Sequence, residues 1–377
     1  MTEWLRPDDV DAFLLGATLL GSGGGGEAGV WVHRVRAALP ATGIELLSLG
    51  QARDRGLSSV AVVGMIGATS VLVEKLPHGC EIAEAVAASR RWNGVPVQAL
   101  MPVEAAGLNA PLAVTAAAEL GLPLLDVDLM GRALPRFDQL SLVVAGSGLI
   151  RSAALAESGG QVLVLDHSTP SMLERAVRAY VSVAGGWAGA SFGPVTVADL
   201  TGRTCEGTLG RAIRLGRALE AVSGGGSHKP SEIADALGGV VLGAGRVVDV
   251  ARGRARHPNR ARFTVAGRAG PVLRIEAENE YLLVLADGEP AVSCPELILM
   301  LDRRTAQPIA VDRLRLGDDV QVLALPGPSW WWGDSERLKS VGPRAFGIDL
   351  DPVRLPRPGS LSRGRGDTAG SGETMPP

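Results

Sequence analysis

The feature that most restricts the fold of this 377-residue chain is a change of pattern partway along it. Up to about residue 183, short apolar runs alternate with stretches of helical period. Residues 60–66 read as a buried strand, 81–92 as a helix, 95–101 as a strand and 111–120 as a helix. Residues 123–127 and 161–165 read as further strands, and 171–183 as a helix. Strands that alternate with helices of this length pair in parallel, with crossover helices on both faces. The expected first unit is a three-layer α/β/α domain, residues 1–168, with a mostly parallel sheet. Two more amphipathic helices follow, 207–222, ending at Gly224-Gly225-Gly226, and 230–237, ending at Gly238. Beyond them the helices cease. Strands are expected at 246–250, 262–266, 272–277, 281–286, 297–301 and 320–325, with Asp287-Gly288 as a hairpin turn. Short strands with polar turns predict a β-barrel-like domain, so residues 169–351 are expected to hold a helical linker region and this barrel. Residues 352–377 are rich in Pro, Gly, Ser and Arg and bury too little to order themselves, which predicts a disordered tail.

Composition narrows the function classes. Hydrophobic residues make up 46% of the chain and charged residues 20%, as in a folded protein. Thirty-seven basic side chains against 40 acidic ones give a formal charge of −3. That balance lacks the basic excess of a nucleic-acid or membrane-surface protein. The start is acidic, at Asp8, Asp9 and Asp11, unlike a signal peptide. The charge-free stretch 179–198 is too broken by Gly185-Gly186, Gly189 and Gly193-Pro194 to span a membrane as a helix. Cys80, Cys205 and Cys294 form neither a disulfide framework nor a CxxC pair, and a reducing cytoplasm is the expected compartment.

Several motifs compete for the chemistry. Gly21-Ser-Gly-Gly-Gly-Gly26 satisfies GxGxxG, but Val10, Phe13, Leu14 and Ala17 place a helix before it, where a dinucleotide site needs a strand. What remains is a glycine loop feeding a helix at 30–39. The backbone N–H groups of Gly23, Gly24 and Gly25 could cradle a ligand, or the loop could serve a tight helix connection, since glycine permits both. Gly189-Ala-Ser-Phe-Gly193 matches GxSxG, yet no helix can start at Gly193-Pro194, so the match is fortuitous. His78-Gly-Cys80 has no second pair at zinc spacing.

The stronger constellation is acidic. Glu74 follows an apolar run. Glu104 and Asn109 follow the strand at 95–101, and Asp126, Asp128 and Arg132 follow the one at 123–127. Loops at the carboxyl ends of neighbouring parallel strands share one crevice, so these residues are expected to surround one ligand. Glu104, Asp126, Asp128 and Glu74 are the candidate acids and bases, with Asn109 and Arg132 as binders of a carbonyl or carboxylate. The competing explanation of each is a helix cap or turn. Asn279 and Glu280 in the barrel half, with Trp330-Trp331-Trp332, are expected to supply a second wall, making the site an interdomain cleft. A divalent metal is compatible with so many oxygen ligands, but no spacing requires one, and no motif calls for another cofactor.

Leu19-Leu-Gly-Ser-Gly-Gly-Gly-Gly26, Val73-Glu-Lys-Leu-Pro77, Met101-Pro-Val-Glu104 with Gly107-Leu-Asn109, Asp126-Val-Asp-Leu-Met-Gly-Arg-Ala-Leu-Pro135, Asn279-Glu280 and Val341-Gly-Pro-Arg-Ala-Phe-Gly347 together resemble the S-methyl thiohydantoin desulfurase family. So do Gly207-Thr-Leu and Gly216-Arg-Ala-Leu between them. The resemblance implies an α/β domain followed by a β-barrel and hydrolysis of the C–S bond of an S-methylated thiohydantoin to a hydantoin and methanethiol. It also implies a small hydantoin-like ring as partner, with homo-oligomers or hydantoinase-type companion subunits as further partners. After the glycine loop the family usually has an acid followed by Pro and an aromatic residue, whereas here Glu27 precedes Ala28-Gly29. A hydantoinase-type ring opener and a non-catalytic binding or regulatory module are the alternative functions.

Overall fold

The computed structural model describes residues 3–146, 148–166, 169–223, 229–253, 259–268 and 270–355. Ten strands belong to the first part of the chain: β1 (Glu3–Leu5), β2 (Ile44–Leu47), β3 (Ser59–Gly67), β4 (Ala99–Pro102), β5 (Leu124–Leu125), β6 (Val127–Asp128), β7 (Ala153–Ala156), β8 (Val162–Leu165), β9 (Trp187–Thr196) and β10 (Cys205–Glu206). The helices with them are α1 (Val10–Leu20), α2 (Val32–Ala38), α3 (Leu49–Asp54), α4 (Glu81–Asn93), α5 (Asn109–Leu120), α6 (Ser141–Val144), α7 (Pro170–Val183), α8 (Val197–Leu200), α9 (Thr208–Ser223) and α10 (Pro230–Leu237).

Eight of the strands form one sheet in the order β1-β2-β5-β4-β3-β9-β7-β8. Its centre, β2-β5-β4-β3, is parallel, and the flanks are antiparallel. Side chains of β3 alternate between the two faces, as strand geometry requires. Ala61 and Val63 enter the core beneath α1, α2 and α5, while Val60 and Val62 enter the core beneath α3, α7 and α8. The three-layer α/β/α arrangement follows.

This sheet also recruits chain from beyond residue 168. β9 lies between β3 and β7, so the glycine-rich stretch that the sequence leaves without an element is a ten-residue buried strand. Ser191 of the GxSxG match sits in mid-strand, fully buried, and the strand runs on to Thr196 before the next helix, α8, begins. α9 packs antiparallel along α1 through two glycines. A Cβ on Gly16 would meet Ala212 O, and one on Gly216 would meet Ala12 O, each at 1.7 Å.

The second sheet comprises β11 (Val240–Arg252), β12 (Arg260–Ala266), β13 (Leu273–Glu278), β14 (Glu280–Ala286), β15 (Glu289–Ser293), β16 (Leu297–Asp302) and β17 (Asp319–Leu325). It is a curled antiparallel half-barrel, ordered β15-β14-β13-β12-β11-β17-β16. Asp287 and Gly288, both at positive φ, make the expected two-residue turn between β14 and β15. One face encloses Phe263, Ile275, Val284 and Val322. From the other face, Leu297, Leu299, Leu323 and Leu325 join the core of α1, α9 and α10. The two sheets are thus joined through one apolar layer.

Order extends past the expected end at residue 351. Val353 N donates to Ser293 Oγ at 2.8 Å, Leu355 N donates to Glu296 Oε1 at 3.2 Å, and Leu355 is buried. The apolar Val353 and Leu355 dock on the half-barrel, which composition averaged over the whole tail conceals. The rest of the tail, 356–377, and the glycine run at 224–226 lie outside the described residues.

The α1–α9 contact yields a direct test. Gly216→Ala should destabilise the protein by about 1–3 kcal/mol or more, the range of core overpacking. Gly29→Ala, where an added Cβ meets nothing within 4 Å, should change stability by less than about 0.5 kcal/mol. Urea unfolding of both variants checks this, and equal midpoints would refute the close-packing account.

Candidate active site

β4 ends at Pro102, and the chain turns through Glu104 into α5. β5 ends at Leu125, and the chain leaves the main sheet at Asp126 to pair β6 with β10. Both turns are built around carboxylates. Asp128 accepts from Ala105 N at 2.7 Å through one oxygen, and from Met130 N at 2.9 Å and Gly131 N at 2.5 Å through the other. Asp126 accepts from Leu209 N at 2.7 Å and Gly210 N at 3.2 Å, at the start of α9, where the helix dipole favours an anion. The two aspartates therefore diverge. Burial pushes Asp128 up to about 6 and raises Asp126, while the backbone N–H donors oppose the rise in each.

Glu104 and Asn109 form a buried pair. Asn109 Nδ2 donates to Glu104 Oε1 at 2.8 Å, and its Oδ1 accepts from Met65 N of β3 at 2.6 Å. The second oxygen of Glu104 has one weak donor, Leu134 N at 3.3 Å. Burial pushes Glu104 up to about 8, against the Asn109 hydrogen bond.

The barrel half supplies Glu280. It opens β14 after Asn279, whose φ of +60° makes the tight turn from β13. Asn279 is half-buried and donates its N–H to Asn259 O at 3.2 Å. Glu280 is buried, and among the described residues its Oε2 has no hydrogen-bond partner. Burial raises it also to about 8, with Arg132 the largest opposing influence. Arg132 is wholly buried. It donates through Nε to Ala133 O at 3.2 Å, through Nη1 to Glu296 O at 2.6 Å and through Nη2 to Tyr281 O at 3.1 Å.

The glycine loop is wedged between these two groups. Ser22 O accepts from Tyr281 N at 2.8 Å, and Gly23 O accepts from Val311 N at 3.0 Å. On the other side, Gly25 O accepts from Leu108 N at 2.8 Å. A Cβ on Gly24 would lie 2.5 Å from Glu280 Oε1, and one on Gly25 would lie 3.2 Å from Gly107 Cα. Close backbone approach on both sides accounts for the run of glycines. Gly23, Gly24 and Gly25 are half-buried and form the outer cover of the cluster.

Glu104, Asn109, Asp128, Arg132 and Glu280 thus come together, with Gly23–Gly25 over them. Asp126 is adjacent but turned toward α9. Glu74 is exposed, and among the described residues its carboxylate joins no hydrogen bond of the cluster. Sequence reasoning missed Cys294 and Glu296. The Cys294 thiol is buried beside Arg132, and Glu296 accepts from Gly327 N and Leu355 N. A Pro-interrupted acid between two apolar strands, Cys294-Pro295-Glu296, was the available signal. Trp331 is buried and donates from Nε1 to Met130 O at 2.8 Å, so it packs behind the Asp128–Arg132 turn. Among the described residues no three His, Cys, Asp or Glu side chains form a group able to hold a metal ion. No helix there is long and apolar enough to cross a membrane. The side chains of Glu104, Asp128, Arg132 and Glu280 are buried. A cavity of about 230 Å³ lies on the half-barrel near Arg260 and Phe346, and one of about 20 Å³ lies between Trp31, Met65 and Trp187. Neither is lined by Glu104, Asp128, Arg132 or Glu280.

Two family profiles match nearly the whole described chain. The N-terminal domain of the S-Me-THD-like group matches residues 8–167, and its C-terminal domain matches residues 168–355. The chain belongs to the S-methyl thiohydantoin desulfurase-like family. The family's division at 167/168 separates β9 from the sheet into which it inserts. A crystal structure of a protein from Chromobacterium violaceum has the same fold, with a TM-score of 0.77 at 22% identity over 94% of this chain and 100% of that one. No curated protein sequence matches the chain.

Burial of Glu104 has a consequence for stability. Its proton is held to about pH 8 in the folded protein and lost near the ordinary carboxylate value when unfolded. The folded state therefore binds more protons across that window, and this group's contribution to stability falls as pH rises from about 4.5 to 8. Glu104→Gln, which cannot ionise, should flatten that decline in denaturant titrations. An unchanged pH slope would contradict a buried, proton-holding Glu104.

Proposed function

We propose that the chain hydrolyses the C–S bond of an S-methylated thiohydantoin, or a closely similar five-membered cyclic thioimidate, through paired carboxyl groups from its two halves. The observation that carries this reading is the burial of Glu104, bonded to Asn109 and Leu134 N, and of Glu280, packed against Gly24, one from each half of the chain and both at the glycine loop. Asp128 has both oxygens on backbone N–H groups and Asp126 caps α9, so these two aspartates hold the loops in place. Glu104 and Glu280 retain unused acceptor capacity.

The chemistry balances with water as the sole co-reactant. One carboxylate takes a proton from water, and the new C–O bond forms at the ring carbon bearing sulfur. The C–S bond then breaks, and the other carboxyl group gives a proton to the departing methanethiolate. Carboxyl groups whose protons titrate near neutrality suit both steps. Asn109 has both ends engaged and acts by orienting Glu104. The half-exposed Gly23–Gly25 segment is the point of entry for the ring. No step calls on a metal ion or other cofactor.

Incubation with S-methyl thiohydantoins, thiohydantoins and hydantoins, reading free thiol and ring opening separately, tests this. Thiol release without ring opening is expected. Glu104→Gln and Glu280→Gln should each lower turnover by about 10²-fold or more, the usual share of an acid–base group. Ring opening without thiol would favour the hydantoinase-type reaction. Ring binding without either product would favour a binding or regulatory module.

A further inference from the structure

The glycine loop runs into a turn of helix, Ala28–Trp31, and Trp31 lines the small cavity of about 20 Å³ beside α5. The walls are mainly apolar: Met65 of β3, Leu72, Leu112 and Ala116 of α5, and Trp187 of β9. Two relations tie this cavity to the Glu104–Asn109 pair. Asn109, Leu112 and Ala116 stand at i, i+3 and i+7 of α5, so the helix face that starts at the pair continues along the cavity. Met65, whose N–H donates to Asn109 Oδ1 at 2.6 Å, also lines the cavity. Toward the loop, Leu108 packs with Met65, Leu72 and Trp187, and a Cβ on Gly26 would lie 2.8 Å from Leu108 Cδ1.

The polar side chains of the wall are engaged, with one exception. Glu81 accepts from His78 N at 2.5 Å through one oxygen and from Gly79 N at 2.9 Å through the other. Glu119 accepts from Arg34 at 2.6 Å, and Thr115 Oγ1 donates to Pro111 O at 2.8 Å. Trp187 Nε1 donates to Lys75 O at 2.9 Å. Trp31 is only 8% exposed, and among the described residues its Nε1 has no hydrogen-bond partner. A buried N–H that stays unpaired is costly, so this donor favours a ligand that brings an acceptor. A buried water is ordinarily held by about three polar groups, more than these walls leave unengaged.

We propose that this cavity receives the substituent of the substrate ring, and that Trp31 selects one that is short and ends in a hydrogen-bond acceptor, such as hydroxymethyl. The volume admits one small group and excludes a benzyl-sized one. Both carboxylates of the wall are already bonded, so a charged substituent finds no free partner. The inference rests on the hydrolytic reading for the ring and on the cavity for the substituent.

Calorimetric binding of hydantoins that carry hydrogen, ethyl, hydroxymethyl or benzyl on the ring carbon, measured on the full chain, tests it. Hydroxymethyl should bind about 10-fold tighter than ethyl, and benzyl at least about 10-fold weaker than ethyl. Trp31→Phe keeps most of the bulk but lacks the N–H, so it should lose the preference for hydroxymethyl and still reject benzyl. Trp31→Ala should bind the benzyl ring at least about 10-fold better than the native protein does. In protein labelled with ¹⁵N-tryptophan, the indole resonance that Trp31→Phe lacks should move further with the hydroxymethyl ring than with the unsubstituted one. Should Trp31→Ala fail to fold, the native series, Trp31→Phe and this resonance still decide. Rings that bind alike whatever their substituent, with the Trp31 resonance unmoved, would overturn the pocket and leave the hydrolytic reading standing. The expected selectivity without thiol release from any S-methylated ring would count against the reaction and not against the pocket. Failure of every ring to bind would overturn both.

Discussion

A guanidinium sealed from water ties the two halves of this protein together. Arg132 leaves the loop after β6 and places two of its nitrogens on carbonyls of the half-barrel, those of Tyr281 and Glu296. Each bond satisfies a backbone acceptor and a charged donor that would otherwise be buried unpaired, which is costly in a dry interior. The same bonds hold the start of β14, where Glu280 is buried against the glycine loop. Removing the cation would release the strand and alter the charge balance of the site together.

The glycine loop makes this proximity possible. Side chains at Gly23, Gly24 or Gly25 would strike Tyr281, Glu280 or Gly107, and the loop's carbonyls accept from both halves. Its position at the end of α1 places it over the carboxylates, and the α1–α9 contact anchors its other end. Close packing and ligand approach are compatible here, because the segment that excludes side chains is also the most exposed part of the cluster.

Much of this was legible in the sequence, where elements are coded locally. β3, α4, α5 and α7 announce themselves by apolar period, and Glu104, Asp128 and Arg132 stand out as polar residues at the ends of apolar strands. β9 was not legible because glycine and alanine carry little strand signal, and its neighbours come from distant parts of the chain. Asp126 and Asp128, two residues apart, point to different partners because the chain changes sheets between β5 and β6. The half-barrel partners of Arg132 lie 149 and 164 residues away and are main-chain atoms, so no side-chain pattern could point to them.

The central claim is that carboxyl groups from the two halves work as one unit. A double-mutant cycle on kcat/KM for thiol release, using Glu104→Gln, Glu280→Gln and their combination in folded protein, measures that coupling most directly. Groups acting as a unit predict that the double variant loses little more than the worse single one. Losses that multiply would show two independent contributions and contradict a shared site.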